Sequence, residues 1–134
     1  MREYFVDTWL LIASLDRDDQ HHHRARRIGA RIGQAPLVTH DAVLTEFLTF
    51  FSGEGARMRQ AAVDAVRRVR RNWIVLPAGR DLFDRALDRY AARPDKEYSL
   101  VDCMSMVLME ERGIRHVLTN DHHFTQAGFT VVSE

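Results

Sequence analysis

Apolar and polar positions alternate between two periods along this chain, short runs of three or four apolar residues and longer stretches with helical spacing. Tyr4-Phe5-Val6 is an apolar run that stops at Asp7, and Thr8 to Leu15 follows with helical character, so a strand feeding a helix is expected. Residues 20–33 place Ala25, Ile28 and Ile32 on one helical face, and Gly33 and Pro36 end it. Leu37-Val38-Thr39 reads as a second strand, His40 to Ser52 as a helix closed by Gly53, and Glu54 to Trp73 as a helix striped by Met58, Ala62, Val66, Val69 and Trp73. Ile74-Val75-Leu76 before Pro77 is a third strand, and Asp81 to Ala92 a helix whose apolar face is Phe83, Ala86, Leu87 and Tyr90. Residues 99–112 are apolar around most of a helical projection, which predicts a buried helix ended by Gly113. His116 to Thr119 is a fourth strand, Asn120 to Gly128 a loop, and Phe129 to Val132 a fifth strand. Strands alternating with helices predict an α/β domain on a parallel sheet, with residues 1–134 as one unit.

Composition narrows this only a little. The 134 residues are 46% apolar and 28% charged, with 19 bases and 19 acids, which fits a folded domain rather than a disordered chain. The single Cys103 excludes an internal disulfide and a cysteine-based zinc site, and its apolar neighbours suggest a buried, inert thiol. No run approaches the roughly 20 apolar residues of a membrane helix. The acids around Trp9 to Ala13 are unlike a signal peptide, and a cytoplasmic location is expected.

Charge is uneven along the chain. Residues 24–71 carry ten bases and four acids, and of all 19 bases only Lys96 is a lysine. Arginine forks match phosphate oxygens, so Arg67, Arg70 and Arg71 are candidate phosphate contacts.

Four acids stand apart from the solvated majority. Asp7 follows the first strand and Asp121 the fourth, at the carboxyl ends where open α/β sheets bind ligands. Glu46 falls at the edge of an apolar helical arc between Val43, Phe47 and Phe50, and Asp102 sits in the first turn of the most apolar helix. A buried carboxylate needs a partner or a cation, so four converging acids predict an oxygen-rich cation site. Local roles also fit three of them: Asp7 as a helix N-cap, Asp102 in a Ser99-x-x-Asp102 capping box, Asp121 as a turn aspartate. Glu46 has no such local role.

Other features point to structure. Residues His21-His22-His23 project in different directions on a helix, which predicts a solvated face rather than a metal tract. Trp9 and Trp73 are expected in the core, and His122 and His123 read as ordinary loop histidines, with contact to substrate or metal beside Asp121 as the alternative. Nucleotide-binding glycine loops, nucleophile elbows and zinc-protease motifs are missing from the sequence.

Taken in order, Phe5-Val6-Asp7-Thr8, Leu44-Thr45-Glu46-Phe47, Tyr98-Ser99-Leu100-Val101-Asp102-Cys103 and Leu118-Thr119-Asn120-Asp121-His122-His123-Phe124 resemble the PIN-domain nucleases, especially VapC-type toxins. The resemblance spans the chain and is most specific from Asp95 to Phe124. It implies a three-layer α/β/α fold with a five-stranded parallel sheet in the order 3-2-1-4-5. It also implies that Asp7, Glu46, Asp102 and Asp121 hold Mg2+, or Mn2+, for RNA cleavage, with Thr8, Ser99 and Thr119 supporting the carboxylates. A VapB-like antitoxin and a homodimer are implied partners, with no membrane involved. Trp9 departs from the pattern, standing where a small residue is common. A nuclease of RNA maturation or decay and a catalytically inert RNA- or protein-binding PIN module remain alternative readings. A signalling receiver domain fits poorly, since paired acids after the first strand and a lysine after the last are missing.

Overall fold

The computed structural model describes residues 1–133. Five short strands, β1 (Tyr4–Val6), β2 (Leu37–His40), β3 (Ile74–Leu76), β4 (His116–Leu118) and β5 (Thr130–Val131), form one parallel sheet in the order β3-β2-β1-β4-β5. In register, Phe5 of β1 lies between Val38 and Val117. Seven helices connect them: α1 (Thr8–Leu15), α2 (His22–Ile32), α3 (Asp41–Phe50), α4 (Ala56–Asn72), α5 (Arg80–Ala92), α6 (Leu100–Arg112) and α7 (His123–Gln126).

The chain runs from β1 outward to β3, then crosses back over the sheet to β4. Right-handed crossovers therefore put α1 to α4 on one face and α5 to α7 on the other. The packing agrees: α1 meets α2 and α3, α3 meets α4, α5 pairs with α6, and α6 touches α7. Strand order reverses between β1 and β4, so the crevice at their carboxyl ends is the expected ligand position.

Phe5, Val6, Val38, Val117 and Leu118 fill the sheet's centre, with Phe47 and Phe51 from one helical layer and Met106 and Met109 from the other. Buried Met104, Met106 and Met109 make α6 the central helix that its composition predicts. It ends at Gly113, whose φ of 72° is the left-handed conformation that closes a helix, with Ile114 N–H donating to Met109 O at 2.8 Å. Among the described residues no helix is long and apolar enough to cross a membrane.

Several boundaries and faces differ from the sequence reading. His40 ends β2, pairing with Leu76, and caps α3 instead of starting it. An N-cap requires extended backbone and a side-chain acceptor, and His40 supplies both: φ is −140°, and its ring accepts from Ala42 N–H. The expected loop after β4 contains α7, and Thr119 lies beyond the strand. His22 is buried, its Nδ1 2.7 Å from Ala13 O, so the three histidines are not one solvated face. On α5, Leu82 and Ala86 face the core while Phe83, Leu87 and Tyr90 are 44–52% exposed. Arg85 and Arg89, partly buried beside that face, pair with Glu111 and Glu110 of α6.

Candidate active site

Asp7 directly follows β1, and its N–H continues the pairing with β4 by donating to Leu118 O at 3.2 Å. Its carboxylate does not cap α1. It accepts the Thr119 hydroxyl at 2.7 Å, and the same hydroxyl oxygen accepts Asp121 N–H at 3.1 Å. One threonine thus ties the loops after β1 and β4 together.

Asp102 closes a capping box with Ser99: each side chain accepts the other's backbone N–H, at 3.0 and 3.1 Å. The capping role is real, and it aims the carboxylate. Its Oδ2 also lies 3.1 Å from His123 Nδ1, which is 3.1 Å from Asp121 Oδ1. Asp121 in turn accepts His123 N–H at 2.9 Å at the start of α7. Glu46 enters from α3, half-buried, and accepts the Thr8 hydroxyl at 2.6 Å.

The electrostatics join three of these acids. Burial pushes Asp7 up to about 6; hydrogen bonds from Thr119 and from Thr8 N–H oppose this, and the charges of Asp102 and Glu46 add to it. Glu46 is also raised, first by burial and then by the charge of Asp102, against the Thr8 hydrogen bond. Like charges facing one partly dehydrated space favour a cation between them. Asp7 and Asp102 are buried, and Asp121 and Glu46 are partly exposed, so the cluster opens to solvent on their side.

Carboxylates supported by hydroxyls and backbone N–H groups form a hard, oxygen-rich donor set suited to Mg2+ or Mn2+. Among the described residues, one group of ligand atoms all within 4.8 Å of one another is formed by Asp121, His122 and His123. His123 is the residue that sequence reasoning undervalued. Its bridge between Asp102 and Asp121 depends on α7, and the only signal for it was its position two residues beyond Asp121.

A cleft of about 660 Å³ extends from Thr8 and Glu46 along α3, lined further by Asp41, Phe50, Val101 and Met104. It meets the acidic cluster only at its edge. Arg67, Arg70 and Arg71 are exposed on α4, and Arg70 pairs with the cleft residue Asp41 at 3.3 Å. None of the three joins the acids. Arg24 comes nearer: it donates to Asn120 Oδ1 at 2.7 Å, beside Asp121, and its guanidinium lies 5.4 Å from the Trp9 ring centre.

A family model described as PIN domain matches residues 4–130. The chain is 31% identical over 132 residues to the 23S rRNA-specific endonuclease VapC20 of Mycobacterium tuberculosis, covering 96% of each protein. The crystal structure of that VapC20, described as a sarcin-ricin loop cleaving toxin, superimposes with a TM-score of 0.87 over 98% of this chain and 99% of the other. DNA-bound VapBC from Salmonella typhimurium shares the fold, with a TM-score of 0.68 at 17% identity over 98% of each chain.

Proposed function

Because the chain belongs to the PIN-domain family, we propose that it is an endoribonuclease that hydrolyses RNA phosphodiester bonds with the help of Mg2+ or Mn2+, and that it serves as the toxin of a toxin–antitoxin pair. The observations that carry this reading are that Asp7 and Asp121 share Thr119, that His123 lies between Asp102 and Asp121, and that the charges of Asp102 and Glu46 act on Asp7. The likeness to VapC20, an RNA endonuclease and toxin, supports the same substrate class and makes ribosomal RNA the first substrate to test. With RNA as its substrate, the activity belongs in the cytoplasm.

Asp7, Glu46, Asp102 and Asp121 would hold the ion, and His123 stands within reach of two of them. When bound, the ion supplies Lewis acidity at the scissile phosphate. The chain supplies the rest. Thr119 and Thr8 hold Asp7 and Glu46 as hydrogen-bond acceptors, so their lone pairs are presented in fixed directions. The Ser99 capping box fixes Asp102 at the positive end of α6. Burial of Asp7 shields its own carboxylate from bulk water, which strengthens its attraction for a cation. Phosphates flanking the cut are assigned to arginines, with Arg67, Arg70 and Arg71 on α4 as sequence candidates.

The partners follow from this reading. A VapB-like antitoxin would cover the acids, and the exposed Phe83-Leu87-Tyr90 stripe of α5 supports a homodimer contact. Antitoxin-free protein should cut ribosomal RNA with Mg2+ or Mn2+ and stop when EDTA is added. Equal cutting in chelator would overturn the metal reading, and RNA binding without cutting would leave an inert module.

A further inference from the structure

We propose that Thr39-His40, at the end of β2, is the positioning element of this site, and that His40 locks the helix carrying Asp102 to the helix carrying Glu46. The proposal rests on the metal-dependent nuclease reading and identifies residues that serve it without touching the acids.

Thr39, His40 and Ser105 are each fully buried, which is costly for polar groups unless every bond is made. Their bonds reach three of the acid-bearing elements. Thr39 donates its hydroxyl to Val6 O at 2.9 Å, pinning β1 one residue before Asp7. His40 Nδ1 accepts Ala42 N–H at 3.2 Å and so caps α3, which carries Glu46. Its Nε2 lies 2.9 Å from Ser105 Oγ on α6, one turn beyond Asp102.

The direction of this chain of bonds is determined. A backbone N–H can only donate, so Nδ1 carries no proton and the neutral ring holds its proton on Nε2. Nε2–H then donates to Ser105, whose hydroxyl donates onward to Val101 O at 3.0 Å. Burial holds the ring neutral, with its pKa lowered to about 4.

Capping alone does not explain a histidine here. Asn, Asp or Ser would cap α3 with a shorter side chain. The second bond, to α6, is what the longer imidazole adds. It also supplies what packing does not, since Met104, Met106 and Met109 are adaptable side chains that permit small shifts of α6. A directional bond one turn from Asp102 fixes the helix where carboxylate placement matters.

The test uses the full chain with His40→Asn, Ser105→Ala and both together. Asn retains an acceptor for Ala42 N–H but is too short to reach Ser105, and Ser105→Ala leaves the cap untouched. Free manganese measured by electron paramagnetic resonance gives ion affinity, and cleavage of a ribosomal RNA fragment gives kcat and KM. All variants are read below their melting midpoints, measured in EDTA. Each single change should weaken Mn2+ binding and lower kcat by about tenfold, with KM for RNA within about twofold, and the double variant should be no worse than either. Wild-type ion affinity and kcat in Ser105→Ala, or losses that add in the double variant, would overturn the proposal and leave His40 a buried cap. Should wild type bind Mn2+ and the variants lose it while RNA stays intact, positioning stands and the nuclease reading falls. A wild type that binds no Mn2+ overturns both.

Discussion

Thr119 donates its hydroxyl to the Asp7 carboxylate at 2.7 Å, joining positions 112 residues apart in the chain. The bond lowers the pKa of a carboxyl that burial drives up to about 6. Thr119→Val should therefore raise Asp7 further and move the acid limb of the cleavage pH profile to higher pH. A hydrogen bond to a charged group contributes about 1.5–3 kcal/mol, roughly one to two pKa units, so the ionised fraction at pH 7, and activity with it, should fall by about two- to fifteenfold. Thr119→Ser should keep the wild-type profile.

Asp7→Asn should separate the ion from the fold. The Asp7 pKa is higher folded than unfolded, so its contribution to stability is fully present below about pH 4 and lost as pH rises to about 6. At pH 7 without metal, the ionised carboxylate opposes folding, with the interval between 3.8 and about 6 corresponding to on the order of 3 kcal/mol. The variant should thus melt no lower than wild type in EDTA, while losing cleavage. Wild type should gain about 2.7 kcal/mol from Mg2+ at a hundredfold excess over Kd, and the variant less. Melting curves with Mg2+ and with EDTA measure both effects.

His40 has the opposite linkage. Its pKa is depressed to about 4 in the fold, so its contribution is present above about pH 6.5 and lost as pH falls towards 4. Denaturant midpoints across this window should decline more steeply for wild type than for His40→Asn. Parallel curves would show that another group dominates acid unfolding.

Arg67, Arg70 and Arg71 replaced together by Gln should weaken RNA binding and flatten its salt dependence, by about one unit of slope for each phosphate no longer neutralised. Arg70 already pairs with Asp41, so its share should be the smallest. Arg24→Gln offers the comparison, because that guanidinium is bonded to Asn120 beside Asp121. A larger loss from Arg24 than from the triple change would move the RNA track from α4 to α2.

His123→Ala should reduce cleavage by about tenfold, because Asp102 and Asp121 lose the imidazole between them. Its melting point in EDTA should fall only slightly, since His123 lies partly exposed at the rim of the fold. Unchanged cleavage would show that the two carboxylates keep their places without the imidazole.

The sequence by itself determined most of the elements and singled out four acids as candidates. Period-two and period-3.6 patterns are local properties, and burying apolar faces forces them into strands and helices in chain order. Asp7 and Asp121 were legible as chemistry because each follows an apolar strand, and Glu46 because it interrupts an apolar arc without a local role. The sheet order came from the family resemblance, and the strand register confirms it. Tertiary structure alone decided the bonds that link Asp7, Asp102 and Asp121 through Thr119 and His123. Thr119 reaches Asp7 because β4 pairs with β1, and His123 bridges Asp102 and Asp121 because α7 forms where a loop was expected. His40 looked like the first residue of a helix, and only the approach of α6 gives its second nitrogen a partner. The rotation of α5 was equally non-local: Leu82 and Ala86 are buried and Phe83, Leu87 and Tyr90 face outward, a choice between two apolar stripes that the packing of α5 on α6 makes. Side-chain partners more than a turn apart are set by how layers pack, and no local period encodes that.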